Sequence, residues 1–342
     1  MTRKSHFRSA YIALFVLILA TSAMVQADQR KVEFVFQSMS PNYFKLYLVN
    51  GDGTQEELTT DMFAILPSFS PDGKILYFEG KVPIETYKTY FYQIFKLDRG
   101  NYNAISQISD NSAMDSHPVC SPDGKRIAFC SRTIKKETEE GLAKRPQKSD
   151  EEPLVQFSPW KIYTMDVDGK NRRRLDPQGG DAANEVYPSW SPDGSKIVYV
   201  VKTFVDLMKG ELHIPTTILK VRDLEKETTT SLVSICASAD EPSWSPKGDQ
   251  IAFSALSMDT MQRSIWLANA DGTNMRKITE GPYDGRPTWF PDGKKIMFTR
   301  RETAGKKAAV WALELSTGRL AKVFDSPEPD VSIDFVAIHV SQ

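Results

Sequence analysis

The sequence predicts an all-β fold, a six-bladed β-propeller of four-stranded antiparallel blades that the C-terminal strand closes by joining the N-terminal blade. Three observations predict it. One turn phrase recurs five times, a second strand–turn–strand phrase follows each copy, and the two chain ends supply one further set of strands. Sequence periods of this size are typical of propellers, solenoids and other repeat arrays.

The recurring phrase is Pro-x-x-x-Pro-Asp-Gly, followed by a short apolar run. Its copies lie about 45 to 70 residues apart and begin at Pro67, Pro118, Pro188, Pro242 and Pro287. Proline presets its own φ, aspartate bonds to its own backbone, and glycine adopts a positive φ without strain. The flanking runs are rich in Trp, Phe, Ile and Val, which is typical of strands. Each phrase therefore predicts a β-hairpin.

The second strand of each hairpin is almost wholly apolar. Ile197–Val201 has no alternating polar face, so both faces of its sheet should be covered by neighbours. A second phrase follows, as in Lys161–Asp166 with the Asp-Gly turn at Gly169, and Ser264–Asn269 with the turn at Gly272. Each unit thus supplies four antiparallel strands, the content of one propeller blade.

The chain ends complete the expected ring. Val32–Phe36, Tyr43–Val49 and Glu57–Thr59 supply second, third and fourth strands without a first strand. Ile333–Val340 is a spare strand at the C-terminus. Placing it in the N-terminal blade makes six blades and leaves no exposed sheet edge.

The two phrases together resemble the repeat of the TolB-type, WD-like β-propeller family. The pairing is clearest in Pro188–Gly194 and Ile162–Gly169, and the resemblance covers roughly residues 32–342. Cys120, Lys247 and Phe290 depart from the usual Trp, Asp and Ser of the phrase. The resemblance implies binding to a protein of the cell envelope. It also extends to the propellers of oligogalacturonate lyases and prolyl-oligopeptidase-like peptidases, and the α/β domain that precedes the TolB propeller is not expected here.

Residues 1–27 are expected to be a cleaved secretory signal, and residues 28–342 the propeller. A basic start precedes an apolar core at Tyr11–Ala20 and a small-residue exit at Val25–Ala27. The core is shorter than the ~20 residues that span a bilayer, so we expect a periplasmic or secreted protein without a stable membrane span.

Charge and motifs exclude several function classes. Removing the signal leaves 40 Lys+Arg against 44 Asp+Glu, so no basic excess indicates a nucleic-acid partner. The sequence has no Gly-x-Ser-x-Gly elbow and no His-x-x-x-His or Cys-x-x-Cys pair. We therefore expect a monomer with no catalytic residues, no metal and no cofactor. Cys120 should face about residue 127 rather than Cys130, and Cys236 lies in a later blade, which predicts free thiols.

Strand alternation assigns the connections to two faces. The short turns inside each phrase share one face, here named the short-turn face. The connections between the second and third strands, and those between successive blades, share the other, the loop-rich face. It should carry the charged insertion 135–152. It should also carry an aromatic group that is either core or an exposed rim, namely Tyr87, Tyr90, Phe91 and Tyr92.

Residues just before the first-strand prolines should surround the channel mouth on the loop-rich face. Their carboxylates could cap the connections between blades, or form an acidic funnel for a basic peptide or a cation. The candidate binding residues are Asp115, His117, Glu185, Tyr187, Asp240, Glu241, Asp284 and Arg286.

The favoured function is an exported, non-catalytic propeller that binds a protein or peptide in the cell envelope through its loop-rich face and channel mouth. The alternatives are an oligogalacturonate-lyase-like enzyme acting on acidic polysaccharides, and a carbohydrate-binding accessory module. The acidic mouth argues against the enzyme, because it would repel a polyuronate.

Overall fold

In the residues that it describes, the computed structural model contains twenty-four β-strands and no α-helix. It describes residues 32–40, 43–59, 62–85, 89–134, 157–206, 213–235, 238–257, 260–302, 308–325 and 332–340. The predicted all-β fold is confirmed. The expected signal at 1–27, the insertion 135–152, Tyr87 and Cys236 lie outside these residues.

Four of the five sheets have four antiparallel strands each. Sheet 1 contains β1 (Val32–Ser40), β2 (Tyr43–Val49), β3 (Gln55–Glu57) and β24 (Ser332–Val340). Sheet 2 contains β4 (Ala64–Phe69), β5 (Ile75–Ile84), β6 (Thr89–Asp98) and β7 (Asn101–Gln107). Sheet 3 contains β8 (Met114–Cys120), β9 (Arg126–Arg132), β10 (Lys161–Asp166) and β11 (Arg173–Arg174). Sheet 4 contains β12 (Asn184–Trp190), β13 (Lys196–Asp206), β14 (His213–Asp223) and β15 (Thr228–Ile235).

Sheet 5 is longer and consists of two antiparallel stretches. The first contains β16 (Ala239–Trp244), β17 (Gln250–Leu256), β18 (Arg263–Asn269) and β19 (Arg276–Lys277). The second contains β20 (Tyr283–Trp289), β21 (Lys295–Arg301), β22 (Ala308–Glu314) and β23 (Leu320–Phe324). A parallel pairing of Arg263 with Tyr283 joins the two stretches.

The C-terminal strand β24 pairs with β1 in the antiparallel sense, with Val32 opposite Val340. The first strands of successive repeats also contact one another, β4 with β8, β8 with β12, β12 with β16 and β16 with β20. β24 contacts both β20 and β4. The two ends of the chain therefore meet between the first and last complete repeats.

The predicted hairpins are confirmed. In each one the turn glycine has a φ between 68° and 75°, at Gly73, Gly124, Gly194, Gly248 and Gly293. Where Lys247 replaces the turn aspartate, the Ser245 hydroxyl donates to Asp249 at 2.6 Å instead. The turn thus survives the substitution because a nearby carboxylate accepts the same bond.

The cysteine register is also as predicted. Cys120 lies opposite Ile127, and Cys130 lies opposite Ser116. Both thiols are buried and free.

The core lies between the sheets. The large side chains of the second strands are at most 1% exposed, namely Phe78, Phe129, Tyr199, Phe253 and Phe298. Ala128 and Ile162 of sheet 3 pack in one cluster with Trp190 and Tyr199 of sheet 4. Face-to-face stacking therefore covers both sides of these strands, as the apolar runs predicted.

Gly169→Ala should destabilise the fold more than Gly194→Ala. Both glycines have a positive φ, and a non-glycine residue there costs roughly 1–2 kcal/mol. A Cβ at Gly169 would in addition collide with the carbonyl oxygen of Ile108, directly after β7 of sheet 2, whereas at Gly194 its nearest neighbour is Pro122 at 3.8 Å. Urea denaturation measures both free energies of unfolding. Equal losses would mean that the contact between sheets 2 and 3 can relax freely.

Candidate functional site

The first strands of the repeats enclose a cavity of about 550 Å³. Its walls come from β4, β8, β12, β16, β20 and β24. Ser121 and Pro122 of one short turn line it, as do Ser70 and Pro71 of another. The cavity therefore extends toward the short-turn face rather than toward the loop-rich face.

A strained residue occupies the same place in five of these strands, β4, β8, β12, β16 and β20. It immediately precedes the proline and sits at a shift in the strand register. Its φ lies between 54° and 58°, a region that side-chain-bearing residues rarely adopt. Such bulges re-aim side chains, and strained backbone concentrates at functional sites. We call these cavity-lining residues the bulge ring: Leu66, His117, Tyr187, Glu241 and Arg286.

Side chains of the preceding sheet hold this backbone in place. The N–H of Leu66 donates to Gln37 Oε1 at 3.1 Å, and the N–H of His117 donates to the Glu79 carboxyl. At the register shift this backbone N–H has no partner in the neighbouring strand, and the side chain from the preceding sheet accepts its hydrogen bond instead. The strained conformation therefore depends on contacts between neighbouring sheets.

The structure divides the eight candidate residues into two groups. His117, Tyr187, Glu241 and Arg286 belong to the bulge ring. The remaining four are at most 4% exposed and lie one or two residues earlier in their strands, namely Asp115, Glu185, Asp240 and Asp284. The two groups therefore have different surroundings, although the sequence placed them together.

Two of the buried carboxylates form bidentate pairs with arginine. Asp115 accepts bonds of 2.6 and 2.8 Å from Arg172. Asp284 accepts two bonds of 2.7 Å from Arg300. Such pairs satisfy both carboxylate oxygens, so these groups do not present free negative charge.

The other two carboxylates pair with lysine. Lys161 Nζ lies 3.2 Å from Glu185, and burial raises the pKa of Glu185 despite this cation. Lys202 Nζ lies 2.5 Å from Asp240, and Arg263 lies 2.9 Å from it. Burial acts to raise the pKa of Asp240, but these cations outweigh it and the pKa is lowered. The expected acidic funnel is thus neutralised by internal pairs, and a binding role for these four residues stays a prediction.

The His117 side of the ring holds a hydrogen-bonded chain. The Ser116 hydroxyl donates to Glu79 and lies 2.6 Å from His117 Nδ1. The His117 ring meets Tyr187 edge to face, with centroids 4.9 Å apart. Sequence reasoning missed Glu79, although a carboxylate directly after the apolar run Ile75–Phe78, inside a predicted buried strand, could have indicated it.

Burial determines the protonation states of Glu79 and His117 in this hydrogen-bonded chain. It raises the pKa of Glu79 to about 7. It also lowers the pKa of His117 to about 3, with further lowering by Arg286 and Lys202. Near neutral pH the imidazole is therefore uncharged, and Glu79 is poised to hold or release a proton.

The opposite side of the ring is charged but internally paired. The Arg286 N–H donates to Glu241 Oε2 at 2.8 Å, and Arg286 Nε lies 3.6 Å from Glu241 Oε1. Ser254 donates to the same carboxylate at 3.0 Å. The cavity thus combines an apolar position at Leu66, an aromatic sector and an ion pair.

Two features are absent from the described part of the chain. It contains no group of three or more His, Cys, Asp and Glu side chains arranged to hold a metal ion. No helix there has the length and apolar character needed to cross a membrane.

Residues 150–332 match the family described as the TolB beta propeller domain. An uncharacterised protein from Agrobacterium fabrum, Atu1656, is 28% identical over 134 residues. That match covers 39% of this chain and only 38% of the relative's length.

Solved propellers of several kinds are similar in fold. TolB from Acinetobacter baumannii has a TM-score of 0.64 at 16% identity, covering 90% of this chain and 66% of that one. Hydrazine synthase from Kuenenia stuttgartiensis has a TM-score of 0.66 at 13% identity, covering 94% and 48%. An oligogalacturonate lyase in complex with manganese has a TM-score of 0.52 at 16% identity, covering 86% and 73%. At these identities the likeness concerns the fold alone.

Glu79→Gln and His117→Gln should change the pH dependence of stability in opposite directions. A raised carboxyl pKa makes the wild-type fold lose stability as pH rises from about 4.5 to about 7. A lowered imidazole pKa makes it lose stability as pH falls from about 6.5 to about 3. Relative to the wild type, Glu79→Gln should therefore gain stability as pH rises, and His117→Gln as pH falls. Urea midpoints measured across this range check both, and profiles parallel to the wild type would contradict the assigned burial.

Proposed function

The chain belongs to the TolB beta propeller domain family, and on that premise we propose that it is an exported, non-catalytic propeller that binds a protein or peptide partner in the cell envelope. The bulge ring carries the proposal. Binding engages the loop-rich face and the bulge ring, which lies at the end of the cavity nearest that face. Export relies on residues 1–27 as a signal, with the propeller at 28–342.

The five repeats differ from one another at the bulge-ring position. The proline, the turn glycine and the buried aromatic recur from repeat to repeat, because the fold needs them. The ring position instead carries a leucine, a histidine, a tyrosine, a glutamate and an arginine. The fold needs an unusual backbone there but no particular side chain. Ligand recognition is the reason we infer for this diversity.

The chemistry of the cavity suits a peptide. Its size lies within the roughly 300–1,000 Å³ of ordinary ligand pockets. An apolar side chain can contact Leu66, an aromatic one can pack against His117 and Tyr187, and a backbone amide can bond to the Glu241–Arg286 pair. This mixture matches a peptide segment better than a uniformly charged polymer.

The proposed architecture is a closed ring of six blades. Sheet 5 counts as two blades, β16–β19 and β20–β23, because one parallel pairing joins them. β24 supplies the first strand of the N-terminal blade, and its contacts with β20 and β4 support closure.

Deleting residues 332–342 should abolish cooperative folding. It removes β24, and β1 would then present an unpaired edge that promotes association between chains. Thermal melting and sedimentation check this, with removal of residues 341 and 342 alone as the control. A soluble, monomeric product that melts within a few degrees of the parent would contradict closure by β24.

Replacing ring residues should weaken partner capture without unfolding the protein. Asparagine tolerates a positive φ, so Leu66→Asn combined with Tyr187→Asn keeps the backbone while removing apolar contacts. Immobilised protein is exposed to envelope extract, and the retained proteins are quantified by mass spectrometry. Recovery of the partner should fall roughly tenfold, as for a binding hot spot.

The matched control is Leu320→Asn, which removes a leucine that is 37% exposed on the outer strand β23. Equal capture by the ring variant and the wild type would exclude the cavity as the binding site. Absorbance from unsaturated uronides, on incubation with polygalacturonate and a divalent metal, would replace the proposal with a lyase function.

A further inference from the structure

Two cations on the loop-rich side of sheets 2 and 3 lie against aromatic rings instead of carboxylates. The rings come from the start of β4, from β6 and from the segment preceding β10. Together they form one surface beside Tyr90, which is 60% exposed. We call it the cation–aromatic patch: Phe63, Lys81, Tyr92, Arg132, Phe157 and Trp160.

Arg132 is the centre of this patch. Its guanidinium lies 4.2 Å from the ring centroid of Phe157 and 4.4 Å from that of Trp160. Its Nε and Nη2 donate to the thioether sulfur of Met114 at 3.3 and 3.2 Å. No carboxylate of the described residues lies within ion-pair distance of it. Burial lowers the pKa of Arg132, as expected for a cation that gives up water without gaining an anion.

Other partly buried arginines have carboxylate partners. Arg172, Arg222 and Arg300 each pair with a buried carboxylate from elsewhere in the chain. The fold therefore supplies a carboxylate to most arginines that it removes from water. Arg132 departs from this pattern, because no carboxylate of the described residues pairs with it and its guanidinium lies against two rings instead.

Lys81 repeats the arrangement. It is exposed, and its Nζ lies 4.2 Å from the Phe63 centroid and 5.7 Å from the Tyr92 centroid. Lys81 acts to lower the pKa of Glu79, but that carboxyl is buried and bonded to Ser116. Its raised pKa keeps part of the population neutral near pH 7. The charge of Lys81 is thus available to a ligand.

We infer that the cation–aromatic patch docks an acidic peptide segment, whose glutamate or aspartate carboxylates pair with Arg132 and Lys81. The inference rests on the proposed function, because it names the chemistry of part of the partner. A guanidinium that is held against two rings loses less side-chain freedom when it forms charge-assisted bonds to a carboxylate. The partner would place this segment across the patch while another part contacts the bulge ring.

The rings favour a peptide over an acidic polysaccharide. Sugars bind aromatic residues by stacking on a ring face, but a cation already covers one face of Phe63, Phe157 and Trp160. What the patch offers is N–H donors, ring edges and the exposed Tyr90. Flexible carboxylate side chains with apolar neighbours match that surface.

The test uses the full mature chain and a fluorescein-labelled oligoglutamate followed by anisotropy at low and physiological salt. The wild type should bind, and salt should weaken the binding because exposed charges are screened. Combining Arg132→Gln with Lys81→Gln should weaken it roughly tenfold or more, since both charge-assisted contacts are lost. Lys81→Gln alone should give an intermediate loss at an exposed position where folding is not at risk.

The matched control is Arg126→Gln. Arg126 also lies over a tryptophan, 4.8 Å from the ring of Trp190, but it adjoins a short turn on the opposite face. Absence of binding to the wild type at low salt, or an equal loss in the control, would overturn the inference. Tighter binding of polygalacturonate than of oligoglutamate would also overturn it, in favour of a polysaccharide site.

The ring variant separates this inference from the proposed function. Leu66→Asn with Tyr187→Asn should lose partner capture yet keep oligoglutamate binding, because neither residue belongs to the patch. Loss of both in that variant would contradict an independent docking site.

Discussion

The structure depends on the need to bury both faces of the second strand in every sheet. Phe78 and Phe129 are fully buried, and a single sheet cannot cover both of its own faces. Each sheet must therefore stack on two neighbours, with side chains meeting across each interface. Stacking brings backbones so close that Gly169 faces the carbonyl of Ile108 without room for a Cβ. The same requirement gives the chain ends a reason to meet, because an uncovered terminal sheet would expose its apolar face and its edge.

Stacking also determines where the cavity lies and what lines it. The first strands converge there. In β4, β8, β12, β16 and β20 a bulge holds the residue before the proline in a strained conformation. Bonds from the preceding sheet, such as that from the Leu66 N–H to Gln37, hold the strain in place. The fold thereby fixes the backbone at each ring position, while the side chain there differs from repeat to repeat. A site built in this way can change its chemistry without changing its scaffold.

Buried carboxylates and surface cations have different roles in this structure. Buried carboxylates such as Asp115 and Asp284 pair with arginines, because an unpaired charge in the interior would be costly. They stabilise the arrangement of strands and contribute little to the field outside. On the loop-rich side, by contrast, the cations Arg132 and Lys81 rest on aromatic rings. Their attraction to a ligand is therefore opposite in sign to what the row of acidic residues in the sequence suggested.

The sequence by itself determined the repeat, the hairpins and their register, since turn chemistry and apolar runs are local. It correctly placed Cys120 opposite residue 127. It left open whether the aromatic residues of β6 are core or exposed, and in the structure Phe91 is buried and Tyr90 is exposed. Only the tertiary structure decided which candidate residues face the cavity. Asp115 and His117 are two positions apart in one strand, but a bulge and an arginine 57 residues away give them different roles. Local patterns do not encode such partners, because the pairing arises only when one sheet stacks on the next.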